Sequence, residues 1–182
     1  MVTVVVKVEK GNAGKSPVKK IVGEGRKLFP CRSAVYVVGK AVKELTLFTN
    51  EVKLTVGGGV LYNIGKDGIL PNNCNQPLVE YNVCGKAHSY ANNTAHVAMW
   101  PFASYGSLFQ YNEAYDTKTI YDGQGFDCDY QCYYTTFQYN YSHDNIGGFM
   151  LVCTEAKNWD GGYSFNKGST VRYNISQADK HY

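Results

Sequence analysis

Val2, Val4, Val6 and Val8 alternate with Thr3, Val5, Lys7 and Glu9, and this period of two predicts a half-buried strand at the start of the chain. Residues 11–29 break the alternation with four glycines and Pro17, which predicts a loop or a short edge strand. Residues 34–38 form a compact β-branched run. Leu45 and Leu47, then Val52, Leu54 and Val56, flank Phe48-Thr49-Asn50-Glu51 like the arms of a hairpin. Gly57-Gly58-Gly59 ends the second arm; without the Lys-Ser/Thr and helix of a P-loop it reads as a turn or a close backbone approach.

Further strands are expected at residues 60–64, 78–84, 97–100, 118–121, 133–141, 149–153 and 162–175. Pro101 cannot donate to a sheet ladder, so the chain is expected to leave the sheet there. No helical period, internal repeat or dividing linker is read along the chain. Many short strands between Gly and Asn/Asp turns predict an all-β fold, a single-domain β-sandwich or barrel over residues 1–182, with residues 1–30 a basic strand plus Gly-rich loop.

Charge changes the picture modestly. Residues 1–70 carry twelve Lys or Arg against five acids and residues 71–182 six against ten, so a basic first part precedes an acidic remainder. The aromatic residues lie in the acidic part and are not interleaved with Lys and Arg, which argues against nucleic acid as a partner. No apolar run approaches the roughly 20 residues of a transmembrane helix. The chain is expected to be secreted: it holds six cysteines, Cys31, Cys74, Cys84, Cys128, Cys132 and Cys153, and three sequons, at Asn92, Asn140 and Asn174. The cysteine spacings fit no zinc pattern, so a disulfide-stabilised fold is expected, with no cofactor and no metal. Lys19-Lys20 is a candidate processing site.

Candidate chemistry concentrates in residues 97–149, which hold Trp100, five Phe and nine Tyr and a single positive charge, Lys118. Rings with a polar tip suit a lipid headgroup, a sugar or a partner protein. The candidate ligand-binding residues are Trp100, Pro101, Phe102, Tyr105, Tyr111, Tyr130, Tyr133 and Tyr134. No catalytic motif is read: His88, His96, His143 and His181 stand apart, and neither G-x-S-x-G nor H-E-x-x-H occurs. Asp127 and Asp129, on either side of Cys128, are expected on a solvated turn. Were they a glycosidase pair they would face a cleft about 5–10 Å apart.

The order of Val97 or Met99, Pro101-Phe102, Tyr105, Tyr111, Lys118-Thr119-Ile120-Tyr121-Asp122-Gly123, Tyr130, Tyr133-Tyr134 and Asp144-Asn145 resembles the headgroup-binding half of the actinoporin family. The resemblance covers about half the chain. It implies the β-sandwich that those cytolysins share with fungal fruit-body lectins and necrosis-inducing toxins, and a phosphocholine or glycan headgroup as ligand. The amphipathic pore-forming helix of the family has no counterpart here. The expected function is therefore a non-enzymatic, toxin-like or lectin-like protein that recognises a lipid headgroup or glycan at a target cell surface. The alternative is a cysteine-stabilised virulence effector that binds a host protein.

Overall fold

The computed structural model describes residues 2–8, 24–27, 34–41, 45–48, 54–64, 67–87, 95–119, 121–153, 155–157 and 163–180. Its N-terminal part comprises β1 (Val2–Val8), β2 (Glu24–Lys27), β3 (Ala34–Ala41), β4 (Leu45–Phe48), β5 (Leu54–Gly57) and β6 (Val60–Ile64). There follow β7 (Ile69–Asn72), β8 (Leu78–Glu80), β9 (Val83–Ala87), β10 (Leu108–Gln110), β11 (Glu113–Tyr115) and β12 (Phe126–Cys128). The chain closes with β13 (Thr136–Gln138), β14 (Tyr141–His143), β15 (Met150–Val152), β16 (Glu155–Lys157), β17 (Tyr163–Phe165), β18 (Thr170–Arg172) and β19 (Ile175–Gln177).

The described residues are all-β, as expected, but they do not pack as the two face-to-face sheets of a sandwich or close into a barrel. Successive turns of chain stack in parallel as the rungs of a solenoid. One face runs β5-β8-β10-β13-β18, a second β6-β9-β11-β14-β19, and both are parallel throughout. A third is built from β4, β7, the segment Met99–Phe102, β12 and β15, joined by parallel pairing and by the bridges Ile69↔Met99 and Met99↔Phe126. Only the N-terminal strands β2, β3 and β1 add antiparallel partners to these faces, with β1 laid against β5.

A repeat does exist, and it sets the rungs: LVEYN at 78–82, LFQYN at 108–112, TFQYN at 136–140 and TVRYN at 170–174 stack in register. Each position has a separate physical task. The second residue points inward, so that Val79, Phe109 and Phe137 are fully buried, with the two phenyl rings stacked at 4.8 Å. The tyrosine turns the corner in the left-handed region, with φ near +55° at Tyr81, Tyr111, Tyr139 and Tyr173. Gly58 takes the same corner one rung earlier, at φ +66°, which accounts for the triple glycine. The asparagine satisfies the corner's backbone. Asn112 Oδ1 accepts from Asn82 N and Nδ2 at 3.0 Å each, and Asn140 Oδ1 does the same for Asn112.

Several expected strand boundaries move for this reason. The runs 78–84, 133–141 and 162–175 are each split at a Tyr-Asn corner instead of continuing as one strand. The hairpin between residues 45–47 and 52–56 is not formed: β4 pairs with β7 while β5 pairs with β1 and β8. Nor does the chain leave the sheet at Pro101. Trp100 N donates to Ile69 O at 3.0 Å and Phe102 N to Pro71 O at 2.9 Å, and the proline between them interrupts neither bond. No helix among the described residues is long and apolar enough to cross a membrane.

Candidate functional site

The third face carries the unusual polar chemistry. Asp67, in the turn before β7, is 6% exposed and fixes one end of it. Its Oδ2 lies 2.7 Å from His96 Nδ1, and its Oδ1 accepts from Val97 N at 3.0 Å and from Trp100 Nε1 at 2.9 Å. One carboxylate thus orients both an imidazole and an indole. The bridge His96↔Asp122 sets Asp122 on the next rung, and the bridge Met99↔Phe126 sets Asp127 in register with Trp100.

Phe126 and Cys128 fill the inside of β12, so alternation turns Asp127 and Asp129 to the outside together. Asp127 is nevertheless buried, at 4% exposure, and its Oδ1 has no hydrogen-bond partner among the described residues. The expected solvated turn is corrected accordingly: Asp127 lies within β12, paired with Leu151 of β15, and is buried. Burial, with the charges of Asp129 and Asp122 behind it, pushes the Asp127 carboxyl up to about 9. Asp122 is raised by burial and then by Asp129 and Asp67, against a smaller opposing pull from His96.

Asp129 is raised by burial too, but two donors favour its charged form: Tyr130 N at 2.7 Å and the Cys153 thiol. Carboxylate oxygens of Asp127 and Asp129 and the Cys153 sulfur lie within 4.8 Å of one another. Asn166 braces this end of the face. Its amide nitrogen donates to the carbonyls of Cys128 and Cys153, and its Oδ1 accepts from Cys132 N at 2.7 Å.

The sequence-derived binding residues separate into groups. Trp100, Pro101 and Phe102 lie on the third face, the two rings edge-to-face at 6.3 Å, and Tyr130 follows Asp129 there. Tyr105, Tyr133 and Tyr134 gather at the next corner, where Tyr105 and Tyr134 meet edge-to-face at 5.4 Å. Tyr111 belongs to the stack Tyr81–Tyr111–Tyr139–Tyr173, whose centroids are 5.1 to 5.3 Å apart. Stacked rings offer edges and hydroxyls outward and keep their faces for each other, so Tyr111 reads as part of a structural ladder. Asp67, His96 and Asp122 are absent from the sequence-derived set; what aligns them is the rung register. A pocket of about 410 Å³ lined by Tyr115, Asp116, Lys118, Asp144, Ile146 and Lys180 holds none of Asp67, Asp122, Asp127 and Asp129.

The expected disulfide framework is not found among the described residues: no bond joins any two of Cys74, Cys84, Cys128, Cys132 and Cys153, and the first four are buried. They act as small inward residues, as where Cys84 stacks between Leu61 and Ala114. Asn140 is not an exposed glycan acceptor, because its side chain is 2% exposed and its amide donates to Phe109 O and Asn174 Oδ1. The Asn174 amide likewise donates to Phe137 O. Cys31, Asn92, Lys19 and Lys20 lie outside the described residues.

No family model matches the chain. In an alignment of 131 residues that covers 64% of its length, the chain is 33% identical to a lacto-N-biosidase of Bifidobacterium longum subsp. longum. It spans only 8% of that relative's length.

Proposed function

We propose that the third face of the solenoid binds a glycan and hydrolyses a glycosidic bond within it. The observation that carries the reading is that Asp122 and Asp129 stand on the face that holds Trp100, close enough for the charge of Asp129 to act on Asp122, in surroundings that act differently on their two protons. Among the described residues no donor of the kind that stabilises charge on Asp129 acts on Asp122, so Asp122 is suited to protonate the leaving oxygen. Asp129, held by Tyr130 N–H and the Cys153 thiol, is suited to remain ionised and act at the anomeric carbon or on a water. Trp100 supplies a flat apolar platform for a sugar ring. The similarity to a protein named as a biosidase supports the glycan as the ligand class.

A second reading, glycan binding without cleavage, keeps the lectin-like expectation for a secreted protein at a cell surface. It is favoured by the small share of the relative that the chain spans. Glycan-array binding, with mass-spectrometric analysis of the bound oligosaccharides, separates the two. Binding with release of shorter sugars supports hydrolysis, and binding of intact glycan selects the second reading. Binding to liposomes or to a host protein, with no glycan retained, overturns both in favour of the headgroup or effector expectation.

A further inference from the structure

We propose that Asp127, Asp129 and Cys153 form a binding site for a soft divalent cation of the zinc class. Two carboxylates and a thiol present one donor atom each within 4.8 Å. Donors on metal bonds of about 2.0–2.3 Å stand roughly 3–4 Å apart, so small side-chain rotations converge them and leave a fourth position for water. Independently of the cluster, Asp127 Oδ1 is a polar atom in a side chain only 4% exposed, with no hydrogen-bond partner among the described residues. An orphaned buried carboxylate oxygen is costly unless it takes up a proton, and a cation alongside it removes that cost.

The surroundings favour a cation further. Asp122 and Asp67 add negative charge, and among the described residues no Lys or Arg contributes to the carboxyl shifts of the cluster. Sulfur selects the metal. Calcium needs 6–8 oxygens and magnesium a near-octahedral oxygen shell, whereas thiolate with carboxylate is a zinc-type donor set. Binding displaces the protons otherwise held by Asp127 and the thiol, as metal binding to protein ligands generally does. Cys153 is half-exposed, so the ion has a path from solvent.

The site overlaps the hydrolytic reading at Asp129, so if both hold, the cation and the glycan chemistry exclude each other there. The test is titration of the metal-stripped protein with Zn²⁺ by calorimetry and with Co²⁺ by absorbance, where a thiolate-to-cobalt charge-transfer band reports a sulfur ligand. One equivalent is expected to bind, Cys153→Ser to abolish the band, and Asp127→Asn to weaken binding at least tenfold. A thermal melt shows whether each variant is folded, and Cys153→Ser serves as the deciding variant if Asp127→Asn is not. No saturable binding, or a band and affinity unchanged in Cys153→Ser, overturns the site. Metal binding with no glycan release by the metal-stripped protein counts against hydrolysis alone, and glycan release without metal binding against the cation site alone.

Discussion

Trp100 Nε1 donates to Asp67 Oδ1 at 2.9 Å, across 33 residues of sequence. The same carboxylate takes Val97 N and meets His96, so Asp67 couples the orientation of the platform to the start of the rung. Replacing Asp67 by Ala leaves buried donors without an acceptor. The expected loss is about 2–3 kcal/mol of stability, read by urea denaturation. In a Trp159→Phe background, which leaves Trp100 as the single tryptophan, its emission is expected to shift to the red as the indole reaches water.

The asparagine ladder makes a graded expectation. Asn112 Nδ2 donates to Val79 O and Asn140 Oδ1, and its Oδ1 accepts from Asn82, all inside the stack. Asn174 stands on the last of these rungs and is half-exposed. Asn112→Ala is expected to cost about 3 kcal/mol and Asn174→Ala about 1 kcal/mol by the same denaturation assay. Equal costs would show that the ladder does not act through buried polar satisfaction.

At the corners, backbone strain and ring stacking oppose each other. Tyr139 has φ +55° and stacks on Tyr111 and Tyr173 at 5.3 Å each. Tyr139→Ala loses the stacking and keeps the strain, whereas Tyr139→Gly loses the stacking and relieves it. The alanine variant is therefore expected to be the less stable by about 1 kcal/mol, opposite to the order in ordinary strand positions.

These corners also explain what was legible in the sequence. The all-β character was legible in runs of alternating apolar residues, and Gly and Asn/Asp marked the turns between short strands, but the inward positions Val79, Phe109 and Phe137 were not singled out. The parity rule fails at a Tyr-Asn pair, because a left-handed tyrosine turns the chain without any glycine or proline to announce it. Four such pairs, each preceded by a strand-like triplet, were the visible sign of stacked rungs. The site was legible in part. Trp100 and Phe102 stood out as aromatic residues, and Asp127 with Asp129 as a close pair of acids. Their union with Asp67, His96 and Asp122 comes from in-register stacking over about 30 residues, which local spacing does not encode.

His143 gives the pH dependence. Burial lowers its pKa, but hydrogen bonds to Asp144 at 2.7 Å and Glu113 at 3.1 Å outweigh that and hold it above the ordinary imidazole value. A folded-state pKa above the unfolded one means that its stabilisation is complete below about pH 6.5 and is lost as pH rises through the folded value. Because Asp144 is exposed, the effect is expected to be at most about 1 kcal/mol. Comparing melting temperatures of the protein and of His143→Gln across pH 5.5–8.5 checks it: the gap should narrow as pH rises.

The most direct measurement is release of sugar from an oligosaccharide panel by the folded protein, compared with Asp122→Asn and Asp129→Asn. Hydrolysis by the parent chain is expected, with product release reduced roughly a thousandfold or more in each variant while glycan binding persists. Product release that is unchanged in both variants would contradict the assignment of these carboxylates, and a parent chain that neither binds nor cleaves any glycan would contradict the function itself.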